Sequence, residues 1–230
     1  MSESIEELEQ KLGYTFKNGG LLRQALTHTS YANEKYNTNA HLKSNERLEF
    51  VGDAIVGLIV AEYLYKANPD FSEGNMSRLR SAVVCEATLS LLAENLGVPA
   101  CLKLGIGEYR TGGKHKASLL ADAMESIVAA VFLDSDFDTV KAVMLPHFEK
   151  LAKNAAEKII NGDHKSKLQE KMAARGERVS YEIINSFGPS HDMVFVARVT
   201  AADGKCATGE GRSKREAEQA AAGKLLEIID

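Results

Sequence analysis

A chain of 230 residues can hold one large domain or a large and a small one, and 44% hydrophobic with 26% charged residues is an ordinary soluble composition without pervasive disorder. No apolar run approaches the ~20 residues of a membrane span. The acidic first ten residues lack a secretory apolar core, and Cys85, Cys101 and Cys206 are too scattered for a disulfide frame or zinc site, so they read as reduced structural thiols of a cytosolic protein.

Residues 1–152 read as mostly helical. A first helix spans 5–12 and is broken by Gly13, Gly19 and Gly20, and a second spans 21–28. The stretch 31–44 is polar, Asn-rich and loop-like. A helix then starts at 45, and Asn68-Pro69-Asp70 ends the segment that follows it. Ser72 to Ser77 form a turn and N-cap to a helix over 78–95, stopped by Gly97 and Pro99. Residues 105–116 are glycine-rich and basic, an exposed loop. A strongly apolar helix over 118–133, an acidic turn over 134–138 and a last helix over 140–160 lead into a linker at 153–162.

The pattern changes after the linker. A short amphipathic helix over 165–175 precedes β-branched and aromatic runs at 179–187 and 193–200, with Gly188-Pro189-Ser190-His191-Asp192 as the hairpin loop between them. Asp203-Gly204 is a second turn before a short strand through Ala207. Ser213, with Glu216 three residues on, fits a capping box for a helix running to Ile229. The order α-β-β-β-α over 163–230 is a compact α+β unit behind an all-α domain.

The stretch Asn45-Glu46-Arg47-Leu48-Glu49-Phe50-Val51-Gly52-Asp53 carries the chemistry. On a helix, Glu46, Glu49 and Asp53 fall within about 60° on one face. The rest of that helix is apolar nearly all round, which argues for burial. Carboxylates in line on a buried helix repel one another and resist desolvation, so a cationic group is expected over them, and only Arg47 is local. Asp122 and Glu125, at i and i+3, share a face of the second apolar helix. Two such helices suit hard divalent cations with oxygen ligands, Mg²⁺ or Mn²⁺ rather than zinc. A pair of ions ~3.5–4 Å apart is the usual clamp for displacement at phosphorus. This pattern fits a phosphodiesterase and other di-metal hydrolases alike.

The nine-residue stretch resembles the signature of the ribonuclease III family. Gln24-Ala25-Leu26-Thr27-His28, Glu73-Gly74-Asn75-Met76-Ser77 and Leu120-Ala121-Asp122-Ala123-Met124-Glu125 back it, and the C-terminal unit resembles a double-stranded RNA-binding domain ending in 214–222. The resemblance implies that Glu49, Asp53, Asp122 and Glu125 ligate metal, with Asp53 and Glu125 foremost in catalysis. It implies that Glu46 and Glu73 line the same cleft. It also implies a symmetric homodimer with the signature helix near the interface, where Phe50 fits an interface knob as well as a core aromatic. The implied activity is cytoplasmic endonucleolytic hydrolysis of double-stranded RNA to 5′-phosphate and 3′-hydroxyl ends with two-nucleotide 3′ overhangs, in rRNA and mRNA processing, with Mg²⁺ (Mn²⁺ substituting) and neither organic cofactor nor membrane.

In the RNA-binding half, Lys214 and Arg215 follow a helix N-cap where the dipole favours phosphate. Lys165, Gln169 and Glu170 lie on the first helix, the last two resembling minor-groove readers, and His191 tips the hairpin loop. From Asn161 onward eleven Lys and Arg meet eleven Asp and Glu, so the unit is neutral and binding rests on local clusters. Asp163-His164-Lys165-Ser166 departs from the family's common Asp-Pro-Lys-Thr. Arg78, Arg80, Arg110, Lys114 and Lys116 are further candidates for phosphate contact. A catalytically silent duplex-RNA binder and a helical hydrolase of small phosphoesters are the competing readings.

Overall fold

The computed structural model describes residues 2–36, 38–162, 164–189 and 192–229, without the side chains of 2–4 and 154–162. The backbone packs as two units, Met1–Ala156 and Glu157–Asp230. In the first, helices α1 (Ser2–Leu12), α2 (Gly19–Ala25) and α3 (Thr29–Lys35) precede the long α4 (Glu46–Ala67). The predicted second helix stops three residues early. His28 takes an extended backbone and caps α3 by accepting from the Ser30 amide, so the Asn-rich loop contains a helix of its own.

After α4, Ser72 caps α5 (Glu73–Val83), its hydroxyl accepting from the Asn75 amide. The single helix expected over 78–95 is two, because Cys85 turns to extended geometry and starts α6 (Glu86–Leu96). Thr88 and Cys85 both hydrogen-bond the Ala82 carbonyl, satisfying the end of α5 at the break. Gly97 ends α6 at φ 84°, a left-handed conformation open to glycine. The short α7 (Val98–Cys101) and α8 (Ile106–Arg110), the latter inside the basic loop, lead to α9 (Ala117–Asp134) and α10 (Phe137–Gly162).

Helix α9 is the axis of this unit. Residues Met124 and Ser126–Val131 are fully buried, and it packs against α4, α6 and α2. At its end Asp134 accepts hydrogen bonds from the Tyr14 hydroxyl and from the amides of Lys17 and Asn18, tying the chain entering α2 to the core. None of the three cysteines forms a disulfide, but only Cys101 is buried, so the thiols of Cys85 and Cys206 are not core groups. No helix among the described residues is long and apolar enough to cross a membrane.

In the second unit, α11 (His164–Ala173) and α12 (Lys214–Ile229) cover one face of an antiparallel sheet of β1 (Val179–Phe187), β2 (Val194–Ala201) and β3 (Cys206–Gly211), in that order. Leu168, Met172, Val199, Ala221 and Leu225 form its core. A bulge between Ile183 and Asn185 breaks the β1–β2 register. A Cβ at Gly209 would overlap the backbone of Ala220 and Ala221, and one at Gly211 would meet that of Ala217, so α12 lies on β3 at backbone distance. The capping box expected at α12 forms with its return bond shifted one residue earlier, to Arg212. Ser213 Oγ accepts from the Glu216 amide, and the Glu216 carboxylate reaches back to the Arg212 amide.

Candidate active site

The site is built from the start of α4. Asn45 is buried; its amide donates to the Thr27 carbonyl at 2.9 Å, and its carbonyl accepts from Ser126 Oγ of α9 at 3.2 Å. Gly52 completes the junction. A Cβ at that position would overlap the carbonyl of Glu125, so α4 and α9 meet there backbone against backbone. Glu49 and Asp53, three residues before and one after this crossing, are thereby held beside Asp122 and Glu125.

The electrostatics follow from that crowding. Burial, then the charges of Asp53, Glu49 and Asp122, push the Glu125 carboxyl up to about 7. Glu49 is raised by burial and then by Asp122, Glu46 and Asp53. Asp122 is also raised, first by burial; Glu86 adds to the rise, whereas His28 and Lys116 oppose it. The cationic partner expected over these acids is not Arg47: among the described residues no ion pair reaches any of the four carboxylates.

Four carboxylates without a cysteine or histidine form an all-oxygen donor set, which fits a hard divalent cation. The upward shifts of Glu49, Asp122 and Glu125 express the same demand for positive charge. Among the described residues no three acids, histidines or cysteines already converge at metal-ligand spacing.

The other predicted residues divide. Glu46 is exposed, accepts from Ser44 Oγ at 3.0 Å and adds its field to Glu49. Within its own chain Glu73 stands apart from the cluster. It opens α5, accepts from Ser77 Oγ at 2.9 Å, and lines a 180 Å³ cavity with Leu64, Tyr65 and Arg80. Asp53 and Leu64 are separated by about 16 Å along α4, so within one chain Glu73 does not share the acidic cleft. Phe50 is 82% exposed and is therefore no core aromatic. Ala54 beside it is exposed, with Leu58 56% and Tyr65 72% exposed on the same stripe, so the all-round apolar helix is buried on one side only.

In the α+β unit, Gln169, Glu170, Lys214 and Arg215 are exposed. Lys165 is half-buried, and its ammonium is engaged within the unit by Glu218 Oε2 at 2.6 Å and by the Tyr181 ring, 4.4 Å to the centroid. His191 lies outside the described residues. Gly52, Asn45 and His28 are the residues to which sequence reasoning assigned no role. All three sit in stretches quoted above, but a glycine or a buried amide signals nothing until the crossing is known.

A family model described as Ribonuclease-III-like matches residues 18–151, and one described as Double-stranded RNA binding motif matches 164–229. The chain is 41% identical over 220 residues to Ribonuclease 3 of Caldanaerobacter subterraneus subsp. tengcongensis, covering 95% of each. It is 43% identical over 228 residues to Ribonuclease 3 of Oceanobacillus iheyensis, covering 98% of each. Among solved structures, the nuclease domain of ribonuclease III from Campylobacter jejuni, described for flexibility in a region involved in dimer formation, aligns at TM-score 0.58 and 40% identity. That match covers 64% of this chain and 96% of that one.

Two outcomes test the site's construction. Gly52→Ala places a methyl group against the Glu125 carbonyl. An overpacking cost of about 3 kcal/mol should lower the melting temperature of this unit by about 6–12 °C, and an unchanged transition by scanning calorimetry would refute the backbone contact. Glu125 binds its proton more tightly folded than unfolded, so its contribution to stability is full below the ordinary value of 4.5 and is lost as pH rises through about 7. In chelator, the melting temperature of Glu125→Gln relative to the native chain should therefore climb between those two pH values and level off above. A difference independent of pH would remove the raised carboxyl.

Proposed function

Because the chain belongs to the ribonuclease III family, an endoribonuclease domain joined to a double-stranded RNA binding motif, we propose that it hydrolyses double-stranded RNA at the Glu49–Asp53–Asp122–Glu125 cluster. The observation that carries this reading is the Gly52–Glu125 crossing, which gathers four carboxylates, none of them in an ion pair among the described residues, and leaves Glu125 pushed up to about 7.

These four side chains would hold Mg²⁺, with Mn²⁺ as a substitute, and the bound ions would supply an activated water and charge stabilisation at the scissile phosphate. The chain's own residues do the rest. Asp53 and Glu125 would be the principal ligands. Near neutral pH Glu125 must release its proton to serve, so cation binding and proton loss are linked. Glu46 hydrogen-bonds Ser44 and orders the first turn of α4 at the edge of the site.

The exposed stripe Phe50, Leu58 and Tyr65 supports a homodimer in which α4 packs on its two-fold mate. Such a dimer offers Glu73, remote from the cluster in its own chain, a route to the partner's cleft, and gives one cut per RNA strand. The products are 5′-phosphate and 3′-hydroxyl ends with two-nucleotide 3′ overhangs, and the setting is the cytoplasmic processing of ribosomal and messenger RNA. Gln169 and Glu170 read the minor groove, and His191 reaches 2′-hydroxyls. Lys214 and Arg215 meet phosphate at the start of α12. Lys165 serves RNA mainly by shaping the face that carries Gln169.

Labelled duplex RNA incubated with the native chain should be cut with Mg²⁺ and left intact with chelator. Asp53→Asn and Glu125→Gln should bind the duplex without cutting it. Equal cutting by Glu125→Gln would sink the cluster, binding without cutting by the native chain would favour a silent RNA binder, and cleavage confined to small phosphoesters would favour the hydrolase. Separately, the 25.0 kDa chain should sediment as a dimer and Phe50→Glu as a monomer. A dimer that survives this charge would move the interface off α4.

A further inference from the structure

The stretch Gln24–His28 has no part in the carboxylate cluster, yet it joins two segments that border it. The Thr27 carbonyl accepts from the Asn45 amide that starts α4, while the Leu26 carbonyl and His28 amide exchange hydrogen bonds with Lys103 at 2.8 and 3.1 Å. The chain continues from Lys103 into the glycine-rich basic loop, and the residues just after His28 grip that loop. Ser30 Oγ accepts from the Gly105 amide at 2.9 Å, and both carboxylate oxygens of Glu34 accept from the Ile106 amide at 2.9 and 3.0 Å. Gly105 fits because it has no side chain: a Cβ would lie 2.5 Å from Glu34 Oε1 and 2.9 Å from the Ser30 carbonyl.

The direction of each bond sets the chemistry. The Gly105 amide can only donate, which leaves the Ser30 hydroxyl proton for His28 Nδ1, 2.8 Å away. Nδ1 also accepts from the Ser30 amide, so it carries no proton, and the ring's proton sits on Nε2. The gripped loop presents Ile106, Tyr109, Arg110 and Lys116 to solvent, with the Lys114 ammonium 5.7 Å from the centre of the Tyr109 ring. Its far end borders the carboxylates, since the Lys116 charge acts on Asp122. Four glycines (105, 107, 112 and 113) make an ungripped loop costly to order.

We propose that Ser30, oriented through His28, and Glu34 are positioning residues that hold the basic 105–116 loop in the conformation in which it meets the RNA backbone beside the carboxylate cluster. This rests on the reading of the site as a double-stranded RNA nuclease. The grip then acts on substrate binding and leaves the chemical step alone, because neither residue is among the four clustered carboxylates.

The test uses the full chain on labelled duplex RNA over a series of KCl concentrations. Ser30→Ala combined with Glu34→Ala should raise KM about tenfold, each lost grip being about a threefold effect, with kcat within about twofold of native. The dependence of log KM on log salt should become shallower by about one unit. Ser30→Thr, which keeps the hydroxyl, should restore KM in an otherwise native chain, and amide hydrogen exchange in 105–116 should quicken in the double variant alone. Unchanged KM, or unchanged exchange in that loop, overturns the grip. Lys114→Ala with Lys116→Ala distinguishes the remaining failure: if it leaves KM unchanged, the loop does not meet RNA and the proposal falls. If the native chain cuts no RNA at all, the functional reading fails, while the exchange result still judges the grip.

Discussion

The nuclease unit depends on one place where two backbones touch. Gly52 of α4 lies against the Glu125 carbonyl of α9, and no other residue type fits there without moving a helix. The cost of the arrangement is electrostatic, since carboxylates from the two helices are brought together and partly desolvated. The gain is structural, because α9 is almost fully buried and its small residues let its neighbours approach closely. A packed core thus supplies the rigidity that holds four like charges together, and the unmet demand for positive charge becomes the property the site can use.

The same device recurs in the RNA-binding unit. Gly209 and Gly211 of β3 let the alanine face of α12 come to backbone distance, which places Lys214 and Arg215 at the open start of that helix. Around the first turn of α11 an internal network forms: Gln219 accepts from the Lys165 amide, and the Lys165 ammonium is shared by Glu218 and Tyr181. Burial and then the Glu218 charge push the Tyr181 phenol up to about 12, so it stays neutral beneath that ammonium. A lysine held in this way fixes helix direction more than it offers charge to solvent.

The grip on the basic loop links the two kinds of surface. Leu26, Thr27 and His28 use backbone groups to bind the start of α4 on one side and Lys103, just before the basic loop, on the other. The clustered carboxylates and the cations of the loop are therefore registered to one short segment. The opposite face of α4, with Phe50, Leu58 and Tyr65 exposed, takes no part in the core.

Much of this was legible from residue order. Helical spacing marked α4 and α9 and put Glu46, Glu49, Asp53, Asp122 and Glu125 on them; β-branched runs marked β1 and β2, and Ser213 with Glu216 marked the start of α12. Local propensity and periodicity suffice for these because each is decided within a few residues. Other features needed the fold. The break between α5 and α6 depends on Cys85 and Thr88 capping a helix end, and α3 on a histidine cap within a polar stretch. The inside and outside of α4 could not be told apart, since apolar residues cover every side of it. Glu73 and Lys165 share motifs with functional residues, but distance along α4 and a neighbouring glutamate set their surroundings. Chain order determined which groups are present and on which helices; only the close passage of α4 over α9 decided which of them meet, because the contact at Gly52 joins residues far apart in sequence.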